Sequence, residues 1–262
     1  MARAKHQLTR RREAVSRLDR LMLYPHQVLL IHYSCESFYD RTDGRSPRVT
    51  SIAVRNLERS QTTSFSIHQV AERSGVTPPD IAREYDRLER LMLDEFYEFV
   101  RRHENFQWLH WNMRDVNYGF AAIDHRCKVL GGTPVAIPEE QRTDMAALLI
   151  DLFGPNYAQH PRLTNVLALN SISSQNFLSG AEEAAAFEAG EYVKLHQSTL
   201  RKVDLFVNIL NRTWDGTLKT GARWRERYGT TAGGVIEGVT DHWLYKFLGF
   251  VGIAASLLSL LK

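Results

Sequence analysis

Cysteine is scarce in this chain of 262 residues: only Cys35 and Cys127 are present. Two thiols cannot build a disulfide framework, and their rarity implies a reducing compartment. His103, His110 and His125 fall into no His-x-x-x-His spacing and no Cys-x-x-Cys accompanies them, so no histidine or thiolate metal centre is assigned. The glycines from Gly229 to Gly234 are followed by no Gly-Lys-Ser/Thr, which excludes a phosphate-binding P-loop. No apolar run follows the N-terminal arginines, which excludes a secretory or twin-arginine signal. Internal repeats and low-complexity tracts are also lacking. What remains is an ordinary folded protein, 44% apolar and 24% charged, with a net charge of only +3. Its length suits one large domain, or one domain with a smaller appendage.

That small charge is unevenly placed. Arg3, Lys5, Arg10, Arg11, Arg12, Arg17 and Arg20 face only Glu13 and Asp19 within the first twenty residues. Residues 1–24 read as a basic helix ending before Pro25. It is either a solvated surface or a contact for nucleic acid, acidic lipid or an acidic partner.

Residues 25–215 read as an α/β domain. Gln27–Tyr33 is apolar and β-branched at its centre, the mark of a central strand. Val49–Asn56 and Thr62–His68 have period two, and the short polar connector between them predicts a hairpin. Thr77 and Pro78 open a helix whose Ile81, Tyr85, Leu88, Met92, Phe96 and Phe99 recur at steps of three and four. Its charged residues, Arg83, Arg87, Glu89, Arg90, Glu98 and Arg101, read as a solvated face. Short helices are predicted over Thr143–Phe153 and His160–Leu169. A longer helical stretch runs from Ser179 to Arg212, interrupted near Gly190. Residues 216–239, glycine-rich and aperiodic, read as a linker.

The most informative stretch is Phe106–Phe120. It starts as a buried strand over Phe106–Leu109 and then delivers His110, Asn112, Arg114, Asp115 and Asn117, with helical spacing from Asp115 onward. A strand end that brings such residues to the head of a helix is a favoured ligand position in α/β proteins. The alternative is that the tryptophans are core and His110 and Asn112 satisfy a turn. Cys35 near His32 imitates a nucleophile pair, but no third group is visible and a structural thiol is the simpler reading.

The order strand, strand, strand, helix, strand, helix over residues 26–212 resembles the ribonuclease H-like fold, and within it the DEDD family of 3′–5′ exonucleases. That resemblance rests on Ser34-Cys35-Glu36 at the end of the first strand, where the family carries Asp-x-Glu. It also rests on His110-Trp-Asn112-Met-Arg-Asp115, where the family writes His-Asn-x-x-Phe-Asp, and on His196-Gln-Ser198-Thr-Leu-Arg201, where it has His-x-Ala-x-x-Asp. It implies a ribonuclease H-like mixed sheet with a large helical C-terminal part. Glu36 and Asp115 would be the catalytic carboxylates, and Ser34, His110, Asn112, Arg114, Asn117, His196 and Arg201 would bind. Ser34 and Arg201 replace two acidic positions, which implies a catalytically degenerate domain that binds nucleic acid or a nucleotide and needs no cofactor. The alternative is a working nuclease using Mg2+ or Mn2+, with Asp40 or Asp204 completing the set. His110-Trp-Asn-Met-Arg-Asp115 with Asn117-Tyr-Gly-Phe120 also resembles a bacterial protein family, which implies a bacterial setting but says nothing of activity.

Residues 240–262 form an expected hydrophobic C-terminal helix. Phe247–Leu261 carries no charge and Trp243–Leu261 only Lys246. At about 1.5 Å per residue the longer run spans roughly 28 Å, near the thickness of a bilayer core. It belongs in lipid, in the protein's own core, or in an interface with a protein partner or a second copy. Together these features predict a cytoplasmic bacterial effector or sensor, attached to the inner membrane if the tail enters lipid, as in antiviral defence. A plain interaction subunit is the third reading.

Overall fold

The computed structural model describes residues 2–37, 46–115, 117–228 and Ile236, with side chains from Gln7 onward. In chain order its elements are α1 (Ala2–Leu23), β1 (Val28–Cys35), β2 (Val49–Asn56), β3 (Thr62–Ser66), α2 (Ile67–Arg73) and α3 (Tyr85–Arg101). There follow β4 (Gln107–His110), α4 (Phe120–Val129), β5 (Arg142–Asp144), α5 (Met145–Phe153), α6 (Arg162–Leu169), α7 (Gly180–Glu188), α8 (Tyr192–Trp214) and α9 (Trp224–Tyr228). Asp40 and the tail from 240 to 262 lie outside the described residues. Among the described residues no helix is long and apolar enough to cross a membrane.

The chain divides into two units. The larger comprises residues 18–148 and 167–218. Its five strands form one mixed sheet in the order β3-β2-β1-β4-β5. β1, β2 and β3 make an antiparallel meander, while β1 pairs parallel with β4 and β4 with β5. The C-terminal ends of β1, β4 and β5 therefore share one sheet edge, where ligands of α/β proteins are commonly held.

Alternation along the strands sends two different sets of side chains to the two faces. Leu29, Ile31 and Tyr33 of β1 join Ile52 and Val54 of β2 in the apolar core, against Leu88, Met92 and Phe96 of α3. Burying each such side chain contributes about 1.5–3 kcal/mol. The opposite face, covered by α8, is unusually polar. His32 meets Phe206 edge-on at 5.8 Å, and Ser51 Oγ lies 2.7 Å from Thr199 Oγ1.

Several local expectations change. Thr62–His68 is strand only to Ser66, and Ile67 starts α2. Arg142–Asp144 pairs with β4 as a fifth strand, so the helix expected from Thr143 begins at Met145. The helix after β4 starts at Phe120 rather than Asp115. Pro78–Asp80 is a 3-10 turn, and the regular helix opens at Tyr85. Glu89, expected on a solvated face, is wholly buried.

The smaller unit comprises residues 1–17, 149–166 and the chain from 219. Arg10 of α1 pairs with Asp151 of α5, and the Arg11 guanidinium lies 4.8 Å over the Tyr228 ring of α9. Part of the basic helix is thus engaged within the protein. Within the expected linker, Trp224–Tyr228 is helical and Tyr228 is buried.

Candidate functional site

At the shared sheet edge β1 ends in His32, Ser34, Cys35 and Glu36. His32, Cys35 and Glu36 line a cleft of about 700 Å3 together with Tyr118, Glu183 and Lys202. The volume is that of a small-molecule site.

Its central feature is an ion pair. Lys202 Nζ lies 2.7 Å from Glu183 Oε1, with both side chains nearly buried. Ser198 Oγ donates to the same carboxylate oxygen at 3.0 Å. Ser179 starts α7 with a capping box to Glu182, which fixes the helix that carries Glu183. The Lys202 ammonium also stands 5.3 Å from the Phe177 ring.

Burial, and secondarily the Lys202 charge, hold the His32 imidazole well below its ordinary range, so it is neutral near pH 7. Its Nδ1 lies 3.4 Å from Tyr118 Oη, which donates to the Tyr33 carbonyl at 3.2 Å. The Cys35 thiol is pushed up to about 12 by burial and then by Glu183, Glu36 and Glu89. It is protonated at neutral pH and is no nucleophile.

A second polar group lies at the ends of β4 and β5. Asp144 Oδ1 accepts from Asn112 N at 3.2 Å and from Ala146 N at 2.9 Å, and Oδ2 pairs with Arg114 at 2.6 Å. His110 Nδ1 accepts from Met113 N at 3.1 Å. Asp115 is exposed, and its Oδ1 accepts from Asn117 N at 2.8 Å. Most of the polar residues singled out after β4 therefore hold a turn, and α4 starts only once that turn closes. Asn112 adopts φ +55, a left-handed conformation that asparagine tolerates.

The turn is tied to β1. Tyr118 stacks on Tyr33 with ring centres 4.7 Å apart, and Gly119 N donates to Tyr33 Oη at 2.9 Å. A Cβ at Gly119 would stand 2.6 Å from the Met113 carbonyl oxygen, so the backbones approach too closely for any side chain. Gly119→Ala is expected to cost about 1–3 kcal/mol through this overlap. Urea unfolding followed by tryptophan fluorescence checks it, and an unchanged midpoint would show that the turn relaxes freely.

The sequence-predicted site is thus only partly assembled. Ser34 and Glu36 share the β1 end, with Ser34 buried at 1% exposure and facing α8. Glu36 accepts from Arg48 N at 3.3 Å. His110, Asn112 and Arg114 gather around Asp144. His196 instead packs against His68 of α2, ring centres 5.0 Å apart. Arg201 turns away and donates to the Ser173 carbonyl. Asp204 pairs with Arg55 at 2.6 Å. Arg55 stands opposite Leu30, toward the start of β1, so Asp204 is far along the sheet from Glu36.

Lys202, Glu183, Tyr118 and Asp144 were absent from the expected set. Lys202 lies seven residues after Leu195 and four before Phe206, on the buried stripe of α8, and that phase is its signal in the sequence.

Two divalent metals require several hard oxygen donors converging on one point. Among the described residues no three His, Cys, Asp or Glu side chains gather closely enough to hold an ion. An ammonium group already neutralises Glu183 in the cleft. The described residues do not fit a metal pair. No protein-family model matches the chain, and no curated protein matches it either.

Proposed function

We propose that this chain is a catalytically degenerate domain of ribonuclease H-like topology that binds nucleic acid or a nucleotide at the end of β1. A three-stranded meander whose first strand runs parallel beside the fourth supports that topology. The observation that carries the loss of catalysis is the Lys202–Glu183 pair. A fixed cation beside Glu183 supports that loss, because two-metal chemistry needs carboxylates in excess at one point. The uncharged run Phe247–Leu261 supports an effector role for the tail, in lipid, in a partner or in a second copy. A cytoplasmic bacterial effector, for example in antiviral defence, is the setting we infer from that combination.

Purified full-length protein is expected to leave single-stranded DNA and RNA uncut in Mg2+ or Mn2+, yet to bind one of them or a nucleotide. Lys202→Gln should weaken that binding at least about tenfold. Cleavage that disappears in Glu36→Gln would overturn the reading in favour of a two-metal nuclease using Glu36 and Asp115. Absence of both cleavage and binding would leave the interaction subunit.

A further inference from the structure

The opposite end of the sheet holds a second pocket of different character. It has a volume of about 460 Å3 and gathers residues from four places in the chain. His26 precedes β1, Arg59 sits on the β2–β3 turn, Arg102 and His103 directly follow α3, and Phe106 leads into β4. Asn, Gln, Thr and apolar side chains complete the lining, and no carboxylate is among them.

These side chains are held in place. Asn56 Oδ1 accepts from Glu58 N at 3.2 Å and Arg59 N at 2.9 Å, and its Nδ2 donates to the His26 carbonyl at 2.8 Å. One amide thus fixes both the turn carrying Arg59 and the segment carrying His26. His103 Nδ1 donates to the Phe99 carbonyl at 2.7 Å, and its ring stacks on Phe99 at 4.0 Å. Phe106 meets the His103 ring edge-on at 4.7 Å. The aromatic wall is therefore preformed.

The cations are the unusual part. On and just before α3, Arg83, Arg87, Arg90 and Arg101 each pair with a carboxylate. Arg102 donates only Nε, to the Glu98 carbonyl at 3.3 Å. Among the described residues neither Arg102 nor Arg59 faces a carboxylate. In a chain that otherwise neutralises its α3 arginines, two arginine side chains line one pocket with two histidines and an aromatic wall.

We propose that this pocket binds a small aromatic anion of the nucleoside-phosphate class. Arg59 and Arg102 take the phosphate oxygens, since a guanidinium fork matches a phosphate bidentately. The Phe106 and His103 rings offer the base an apolar wall. The site is independent of the cleft at the end of β1.

Calorimetric titration of the full-length protein with AMP, adenosine and inorganic phosphate tests it. AMP is expected to bind at least about tenfold more tightly than either fragment. Arg59→Ala and Arg102→Ala should each weaken AMP about tenfold or more, and added salt should weaken it further. Both positions are exposed, so the variants should keep the wild-type circular dichroism and melting temperature. Arg73→Ala, a surface arginine of α2 outside this pocket, should leave AMP binding unchanged. AMP binding that Lys202→Gln abolishes and the Arg59 and Arg102 variants keep would move the nucleotide to the cleft at the end of β1, overturning the proposal while supporting the earlier reading. AMP that fails to bind, or binds wild type and arginine double variant alike, would overturn it outright.

Discussion

Arg126→Met should destabilise the sheet unit by about 3–5 kcal/mol near neutral pH, the cost of stranding one half of a buried ion pair. Glu89 is wholly buried on α3, and Arg126 of α4 reaches both of its carboxylate oxygens, with Nη2 to Oε2 at 2.6 Å. Arg126 Nη2 also reaches the exposed Asp86 at 2.6 Å. Burial pushes the Glu89 carboxyl up, against the pull of Arg126 and of Val49 N–H. Without the guanidinium that upward push is unopposed on one side, so Glu89 will take up a proton more readily. The penalty of Arg126→Met should then shrink at lower pH. Glu89→Gln/Arg126→Met should be more stable than Arg126→Met alone, because glutamine removes the stranded charge and still accepts from Val49 N. Urea unfolding of the three variants checks this, and a loss under about 1 kcal/mol for Arg126→Met would show the pair to be dispensable.

The pair matters to the cleft through geometry. Glu89 Oε1 accepts from Val49 N at 2.6 Å, and Val49 is the register partner of Cys35. Glu36 N donates to the Arg48 carbonyl at 2.8 Å. The ion pair thus clamps the start of β2 against the end of β1, where Glu36 enters the cleft. Variants that free Val49 should weaken ligand binding at that cleft as well as stability.

This clamp was illegible in the sequence for a definite reason. Glu89 sits among charged neighbours on α3, and only a partner 37 residues onward, Arg126, permits its burial. The apolar faces of α3 and α8 and the strand β2 were legible from local periodicity, and β1 and β4 from short apolar runs. β5 has three residues, too short to show an alternation, and the apolar spacing of α5 absorbed its end. α2 was hidden because Phe65 and Ile67 continue a period-two pattern while Ile67, Val70 and Ala71 also fit a helix. At the cleft, Arg201 and its neighbour Lys202 part ways. One step along a helix turns the side chain by about 100°, which sends Arg201 to the Ser173 loop and Lys202 to the cleft.

Acidification should destabilise the protein steeply between pH 7 and pH 5, before most carboxylates titrate. Three histidines are buried, His32 and His110 on sheet strands and His196 on α8. Burial lowers His110 to about 4, with Arg114 and Arg142 adding to the effect and Asp144 opposing it. Burial, then the neighbouring His68, lowers His196 to about 4. His32 is lowered by burial and by Lys202. In each case the unfolded chain takes up a proton near 6.5 while the folded chain refuses it. Stability is therefore full above pH 6.5 and is lost as pH falls toward the folded value. For a shift from 6.5 to 4, linkage gives about 2 kcal/mol lost per histidine between pH 7 and pH 5. His110 and His196 together account for about 4 kcal/mol, a large share of the stability of an ordinary domain. His110→Asn keeps an acceptor for Met113 N and removes the titration, and His196→Gln does the same beside His68. Urea midpoints at pH 7, 6 and 5 should fall steeply for the wild type and much less for the double variant. Equal slopes for the two proteins would show that these imidazoles already gain their protons in the folded state.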